Sequence, residues 1–271
     1  MRFSSTSSKN KTHHFLSHHR EGTGKPVVLV HGFCESYQVW NNIMPALTSH
    51  YEVIAVDLGG FGGSADLLPH PTTTEVLAEQ IKELLWNLGI DQAVWIGHSL
   101  GGYVSLAFAD KYPAQVKGLG LIHSTALADS EDKKKVRQKV IDFVEKNGVQ
   151  PFIDDFVEPL FYYKRHPELQ GSIRVVQDIA SQTPLKTVVE VTKAMRDRPD
   201  RTHVLSAANY PVLLAIGRED GAVPFETYIP QLTLAPDTLT HIWADTAHMG
   251  MYERPEEMRK LLRYFADYCY R

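Results

Sequence analysis

The segment 91–113 constrains the fold of this chain more than any other. Its first half is an apolar run typical of a buried strand, and its second half is typical of a helix, which a proline ends. Between the halves, Gly97, Ser99 and Gly101 match the pattern G-x-S-x-G at a sharp turn. Because glycine lacks Cβ, strand and helix can approach closely, which leaves the Ser99 hydroxyl exposed at the carboxyl edge of a sheet. The N–H of Leu100 then points toward whatever Ser99 attacks, where the helix N-terminus favours negative charge.

The composition is that of an ordinary globular protein of 271 residues, 43% hydrophobic and 22% charged. That length allows one large α/β domain with an insertion. A formal net charge of −4 argues against a nucleic-acid partner or an anionic-membrane surface. No apolar run is long enough to span a membrane, and residues 1–24 lack the apolar core of a signal peptide. We therefore expect a cytoplasmic protein, and its oligomeric state is left open.

Cysteine and histidine usage gives little support for a metal site. The two cysteines, Cys34 and Cys269, are too few and too far apart in sequence for a disulfide framework or a metal cluster. Four histidines near the start of the chain are candidate metal ligands: His13, His14, His18 and His19. No cysteine or carboxylate cluster accompanies them, so a polar edge strand with Phe15 pointing inward is the favoured interpretation. We expect neither a metal nor a cofactor.

Apolar runs alternate with helical patterns through most of the chain, as expected for a parallel sheet covered on both faces. Besides the strand and helix around Ser99, strands are predicted at 26–30, 51–56, 119–122, 211–216 and 239–243, and helices at 37–48, 72–88 and 254–270. The alternation stops after residue 123, where four helical patterns follow one another: 130–147, 152–160, 167–181 and 184–196. We predict an α/β core formed by residues 1–123 and 207–271, with residues 124–206 inserted as a helical cap.

Two loops at predicted strand ends contain residues that fit either a structural or a functional role. After the strand 26–30, we predict that the N–H of Phe33 is a second oxyanion donor and that His31 is a buried, hydrogen-bonded histidine. The glycine-rich loop 57–64 resembles a phosphate cradle, but it lacks the Lys-Ser/Thr of a P-loop and the spacing of G-x-G-x-x-G. A tight structural loop is therefore the favoured interpretation of residues 57–64.

Three polar residues each follow a predicted strand and are candidates for one catalytic group. A serine hydroxyl is a poor nucleophile unless a base accepts its proton and a third group orients that base. Ser99, Asp220 and His248 supply these residue types in the order Ser, Asp, His. The alternative roles are a helix-capping aspartate for Asp220 and a polar loop histidine for His248. Glu219 and Asp245 are rival acids in the same two loops.

The chain resembles the α/β-hydrolase superfamily, in its small-esterase branch with a helical cap, over nearly its whole length. The matching motifs are His31-Gly32-Phe33, residues 57–64, residues 97–102, residues 217–220 with Val223-Pro224, and Thr246-Ala247-His248. The resemblance implies a mostly parallel sheet with helices on both faces. It also implies that Ser99 is the nucleophile, His248 the base and then the acid, and Asp220 the group that orients His248. The N–H groups of Phe33 and Leu100 would form the oxyanion hole.

This resemblance predicts an enzyme that cleaves a carboxylic ester of a small to medium substrate through an acyl-enzyme. A carbon–carbon bond hydrolase, a thioesterase or a perhydrolase on the same three residues remains an alternative, as does a ligand receptor with little turnover, because fold does not choose among them. Similar dehalogenases and epoxide hydrolases carry an aspartate where this chain has Ser99, which argues against those activities. Bulky Phe33 after His31-Gly32 argues against esters of tertiary alcohols.

Overall fold

The computed structural model describes residues 15–271. Seven strands of this part of the chain form one mixed sheet. The strands are β1 (His18–Glu21), β2 (Lys25–Val30), β3 (Tyr51–Val56), β4 (Ala93–His98), β5 (Val116–Ile122), β6 (Val212–Gly217) and β7 (Thr238–Trp243). Their order across the sheet is β1-β3-β2-β4-β5-β6-β7. β1 runs antiparallel to β3, and the other neighbours are parallel. The predicted mostly parallel sheet is confirmed.

The parallel register brings the carboxyl ends of six neighbouring strands, β3 and β2 together with β4 to β7, to one edge of the sheet. Val30 of β2 pairs with Gly97 of β4, and His98 pairs with Ile122 of β5. The loops after β2, β4, β5, β6 and β7 therefore lie side by side. All six residues of β4 are buried, as are those of β6, because helices cover both faces of the sheet.

The helices fall into those that cover the sheet and those that lie between β5 and β6 in sequence. The first group is α1 (Met44–Thr48), α2 (Thr74–Asn87), α3 (Leu100–Lys111), α9 (Gly250–Glu253) and α10 (Pro255–Cys269). The second group is α4 (Glu131–Asn147), α5 (Val149–Phe156), α6 (His166–Ser181), α7 (Leu185–Asp197) and α8 (Thr202–Ser206). α4 packs against α5 and α7.

The helix predicted at 37–48 is shorter than expected. A 3-10 turn at Tyr37–Trp40, capped by the Ser36 side chain, precedes α1, which starts only at Met44. Pro45 explains the break, because proline has no N–H to donate and is accommodated only in the first turn of a helix. The pattern at 152–160 is interrupted similarly: α5 ends at Phe156 and a 3-10 turn containing Pro159 follows.

The start of the described chain differs from the predicted strand. His13 and His14 lie outside the described residues, and β1 begins only at His18, on the edge of the sheet. Phe15 was predicted to point inward, but 37% of its surface is exposed and Leu16 is buried at 2% instead. The prediction was wrong because the strand alternation does not extend back to residue 15.

The glycine-rich loop 57–64 closes on its own aspartate, as predicted for a structural loop. The carboxylate of Asp57 accepts hydrogen bonds from the N–H groups of Tyr37 (2.8 Å) and Gly63 (2.8 Å). Gly62 has φ +48°, and a Cβ there would overlap the Asp57 carboxylate. Among residues 15–271, no helix combines the length and the apolar character that a membrane span needs.

Candidate active site

Ser99 stands at the turn between β4 and α3 with a strained backbone, φ 50° and ψ −114°. Its N–H donates to the carbonyl oxygen of Ile122 (3.0 Å), and its own carbonyl accepts from Ser124 Oγ (2.7 Å). Cys34 and His123 also have positive φ, and both follow strands that neighbour β4. Backbone strain of this kind is retained where surrounding contacts enforce it, often at functional sites.

The glycines of the G-x-S-x-G pattern are required by the close packing of this turn. A Cβ on Gly97 would overlap the backbone of Gly101, and a Cβ on Gly101 would overlap the carbonyl oxygen of Val30. These neighbours are backbone atoms that have little room to move. α3 can therefore lie directly against the ends of β2 and β4 only because both positions lack side chains.

His248 and Asp220 form a buried pair at the same edge. The Nδ1 of His248 lies 2.8 Å from Oδ2 of Asp220, and because a carboxylate only accepts, Nδ1 carries the proton. Oδ1 of Asp220 accepts from the N–H groups of Ala222 (2.8 Å) and Val223 (2.9 Å). Burial acts to raise the pKa of Asp220, but the neighbouring His248 holds that pKa well below its usual range.

The rival acids named from the sequence do not contact His248. Glu219 is exposed, and Asp245 is exposed and forms an ion pair with Arg254 instead. Of the three candidate acids, the structure thus brings only Asp220 to the imidazole.

The loop carrying His248 is held by hydrogen bonds to its backbone. The N–H of His248 donates to the carbonyl of Leu160 (2.9 Å). Oε1 of the buried Glu253 accepts from Ala247 N (3.0 Å) and Met249 N (3.2 Å), on either side of the histidine. Burial raises the pKa of Glu253 to about 7. These contacts fix the backbone on both sides of His248, whose side chain Asp220 holds.

A second buried histidine, His98, links the loop of His248 to the loop after β2. Its Nδ1 lies 3.0 Å from Oε2 of Glu35, and its Nε2 lies 3.0 Å from the carbonyl oxygen of His248. Both ring nitrogens face acceptors, so the imidazole carries two N–H groups and is charged. Burial opposes this charge, but Glu35 raises the pKa of His98 above its ordinary value. Oε2 of Glu35 also accepts from Gly32 N (2.6 Å).

His123 is a third histidine in this cluster, and it is neutral. Its Nδ1 lies 3.6 Å from Oδ2 of Asp220, too long for a hydrogen bond, and neither ring nitrogen has a hydrogen-bond partner among the described residues. Burial lowers the pKa of His123 to about 4. Its ring stacks near that of Trp243, with centroids 6.2 Å apart. His31, by contrast, is hydrogen-bonded at both nitrogens, as predicted.

Ser99 and His248 line one cavity of about 360 Å³ together with Phe33. Helices that follow β5 supply most of its apolar wall: Val136, Val140, Phe152, Phe156, Leu160 and Met195. The rings of Phe33, Phe152 and Phe156 contact one another there, with centroids 4.8–6.4 Å apart. Such a mostly apolar cavity with a few polar groups is typical of a small-molecule site.

Backbone donors are available beside Ser99. Neither the N–H of Phe33 nor that of Leu100, the first residue of α3, donates a hydrogen bond within residues 15–271. No hydrogen bond joins the hydroxyl of Ser99 to His248 in this part of the chain. Within the same residues, no three His, Cys, Asp or Glu side chains lie where they could hold one metal ion together.

Sequence reasoning missed the supporting residues of this cluster. Glu35 and His98 are 63 positions apart, so no local spacing signals their contact. Glu253 precedes the helix predicted at 254–270 and gave no signal of burial, although the residue is only 1% exposed. The one local signal of such a supporting residue was His98, a polar residue that follows the apolar strand and directly precedes Ser99.

Known proteins similar to this chain include several hydrolases. It is 27% identical over 266 residues to the pimeloyl-[acyl-carrier protein] methyl ester esterase of Photobacterium profundum, covering 90% of this chain and 96% of that protein. It is 26% identical over 251 residues to the 2-hydroxy-6-oxononadienedioate/2-hydroxy-6-oxononatrienedioate hydrolase of Paraburkholderia phymatum, covering 89% of this chain and 87% of that protein. At 28% identity, it spans 63% of the length of the dihydrolipoyllysine-residue acetyltransferase component of the acetoin cleaving system of Pseudomonas putida, covering 89% of this chain.

A solved structure agrees with these similarities. The thermophilic esterase of Thermogutta terrifontis, determined with malate bound, superimposes with a TM-score of 0.89 at 29% identity and covers 94% of both chains. The sequence profile described as the α/β hydrolase fold matches residues 25–255, most of the chain. The chain therefore belongs to the α/β-hydrolase fold family.

Proposed function

We propose that this hydrolase cleaves carboxylic esters, with Ser99 as nucleophile, His248 as general base and Asp220 as the group that orients it. One observation carries the proposal: the imidazole that Asp220 holds in a single tautomer lines the same cavity as Ser99. The Nε2 of His248 is then free to accept a proton. Esterases among the relatives support ester cleavage by this chain.

The proposed reaction has two halves. Ser99 Oγ attacks the ester carbonyl while His248 Nε2 takes its proton, and His248 then protonates the departing alcohol to leave an acyl-enzyme. His248 next deprotonates a water molecule, which attacks the acyl-enzyme. The bond between Ser99 Oγ and the acyl group then breaks, His248 returns its proton to Ser99 Oγ, and the acid is released. The reaction requires Ser99 Oγ to reach His248, and such hydrogen bonds often tighten only when substrate is bound.

The free N–H groups of Phe33 and Leu100 are the proposed oxyanion hole. Each donor should lower the barrier by about 3 kcal/mol, or roughly a hundredfold in rate or more. The apolar wall containing Phe152 and Phe156 would hold the acyl chain or the alcohol. We accordingly propose that residues 124–206 act as a cap that closes the cavity over the core.

Cleavage of a carbon–carbon bond on the same residues is the second candidate. The relative from Paraburkholderia phymatum is named as a hydrolase of 2-hydroxy-6-oxononadienedioate and 2-hydroxy-6-oxononatrienedioate, and this similarity favours carbon–carbon cleavage as the alternative. Measuring turnover of p-nitrophenyl acyl esters and of vinylogous 1,5-diketones distinguishes ester cleavage from carbon–carbon cleavage. Turnover of the esters with none of the diketones supports the esterase; the reverse assigns carbon–carbon cleavage.

The nucleophile is tested by replacing Ser99 with alanine. We expect Ser99→Ala to lower kcat for p-nitrophenyl butyrate by at least about a thousandfold and to abolish labelling by a fluorophosphonate probe. Ser105→Ala is the matched control, because Ser105 lies on α3, donates to the Gly101 carbonyl and does not line the cavity. Full turnover by Ser99→Ala, or a probe adduct mapped to another residue, would refute the assignment.

A further inference from the structure

Lys133 places a cation on the wall of the cavity that Ser99 lines. Its half-buried side chain extends from α4, and its Nζ donates to the carbonyl oxygen of Ala222, 3.1 Å away. Within residues 15–271 no carboxylate pairs with this ammonium. Because an ammonium has three N–H groups, two of them have no acceptor among these described residues.

The charges around Lys133 do not balance. Arg137, one turn further along α4, also lines the cavity, and its Nε donates to Oδ2 of Asp129 (3.1 Å). The other oxygen of Asp129 accepts from Nη1 of the buried Arg198 (2.7 Å). One carboxylate therefore serves two guanidinium groups, and Lys133 adds a third cation. Asp155 also lines the cavity, but it is exposed, so water screens its charge.

The electrostatics of Lys133 agree with this excess of positive charge. Burial lowers its pKa, and the charge of Arg137 lowers it further. Asp129 and Asp220 act in the opposite direction, but these two carboxylates face three cations, and the oxygens of Asp220 already accept hydrogen bonds from His248 and from two backbone N–H groups. An anion beside Lys133 would remove this imbalance.

We propose that the wall around Lys133 binds a second, ionised carboxylate of the substrate, so that the preferred substrates are esters that carry a free carboxylate. This inference rests on the proposed esterase function. The apolar rings of Phe33, Phe152 and Phe156 accommodate the carbon chain, and Lys133 supplies two N–H donors for the charged end. A charge-assisted hydrogen bond to a half-buried ammonium is strong enough to discriminate a carboxylate from its methyl ester by about ten- to a hundredfold.

The test compares two pairs of substrates that differ only in one charge. Mono-p-nitrophenyl glutarate and its methyl ester place the charge on the acyl side; 4-butyryloxybenzoate and its methyl ester place it on the alcohol side. The wild-type enzyme should prefer the anionic member of at least one pair in kcat/KM. Lys133→Met should lower kcat/KM for that anionic ester by about tenfold or more and leave the neutral partner within about twofold.

Lys139→Met is the matched control, because Lys139 is exposed on the same helix and its loss changes the net charge equally. Its substrate preference should equal that of the wild type. Neutral esters turned over with no charge preference, or an equal loss on both members of a pair in Lys133→Met, would overturn the anion site while leaving the esterase intact. If the wild type hydrolyses none of the four esters, the proposed function itself fails.

Discussion

Asp220 illustrates at the scale of one residue how geometry selects among similar side chains. Two backbone N–H groups, those of Ala222 and Val223, fix one carboxylate oxygen, which turns the other toward His248 Nδ1. In the proposed mechanism this keeps the proton on Nδ1 and leaves Nε2 free as the base. Glu219 is adjacent in sequence and has the same charge, but it points to solvent.

Replacing the acid by its amide tests this role. Asp220→Asn should lower kcat for p-nitrophenyl butyrate by about 10³- to 10⁴-fold, because an amide N–H facing Nδ1 favours the wrong tautomer of His248. Asp245→Asn and Glu219→Gln are controls that should retain at least about half of the activity. Steady-state kinetics at neutral pH measures these activities. If a control variant loses activity and Asp220→Asn does not, the acid is the residue replaced in that control.

At the scale of elements, the β4–α3 turn depends on backbone contacts that tolerate no Cβ. α3 lies so close to the ends of β2 and β4 that a methyl group on Gly101 would meet the carbonyl oxygen of Val30. Gly171, in the exposed middle of α6, has no atom within 4 Å of the corresponding position. The two glycines therefore have opposite consequences for stability.

We expect Gly101→Ala to lower the free energy of unfolding by about 3 kcal/mol, the upper end for overpacking, because backbone must move. Gly171→Ala should raise it by about 0.5–1 kcal/mol, since alanine restricts the unfolded chain and suits a helix interior. Urea unfolding followed by circular dichroism measures both changes. Stabilisation by Gly101→Ala would show that the turn is looser than described.

At the scale of the whole molecule, the Glu35–His98 pair connects three loops that follow different strands. Glu35 accepts from Gly32 in the loop after β2, His98 ends β4, and its Nε2 donates to the His248 carbonyl after β7. A neutral imidazole has only one N–H and cannot make both hydrogen bonds. The charge on Glu35 is therefore what allows His98 to hold the loop of the proposed base.

Glu35→Gln should lower kcat about ten- to a hundredfold with little change in KM, because His98 loses its charge and releases the His248 loop. Breaking this buried pair should also cost about 3–5 kcal/mol of stability. Glu35→Asp, which keeps the charge, should recover part of both losses. A variant with wild-type kcat would show that the pair does not position His248.

The same pair predicts a pH dependence of stability. The pKa of Glu35 lies below its ordinary 4.5, so its contribution is present above that value and is lost as the pH falls through the lowered pKa. The pKa of His98 lies above its ordinary 6.5, so its contribution is present below that value and is lost as the pH rises through the raised pKa. The pair therefore stabilises most between about 4.5 and 6.5. Below about pH 4.5 and above about pH 6.5, the melting temperature of Glu35→Gln, measured by thermal unfolding, should therefore fall less than that of the wild type.

The local pattern of apolar and polar residues was enough to predict most strands and helices and the family. Apolar runs and the polar residues at their ends predict the parallel strands and the turn at Ser99. They also predict that Asp220 and His248 follow β6 and β7. The catalytic roles of Ser99, Asp220 and His248 stay predictions. The length of the helix predicted at 37–48 was overestimated because the spacing of apolar residues does not show the effect of Pro45 on the backbone. Phe15 was placed inward because the start of β1 at His18 depends on pairing with β3.

The sequence by itself determined that strands would end in polar loops, because burial periodicity and glycine are local properties of neighbouring residues. Only the tertiary structure decided which of those polar groups meet: Asp220 with His248, and Glu35 with His98. It also placed Lys133 on the cavity wall with no carboxylate partner among residues 15–271. The physical reason is that hydrogen bonding and ion pairing act over a few ångströms in space. Residues separated by tens of positions in the chain come within that range only when the sheet brings their loops together.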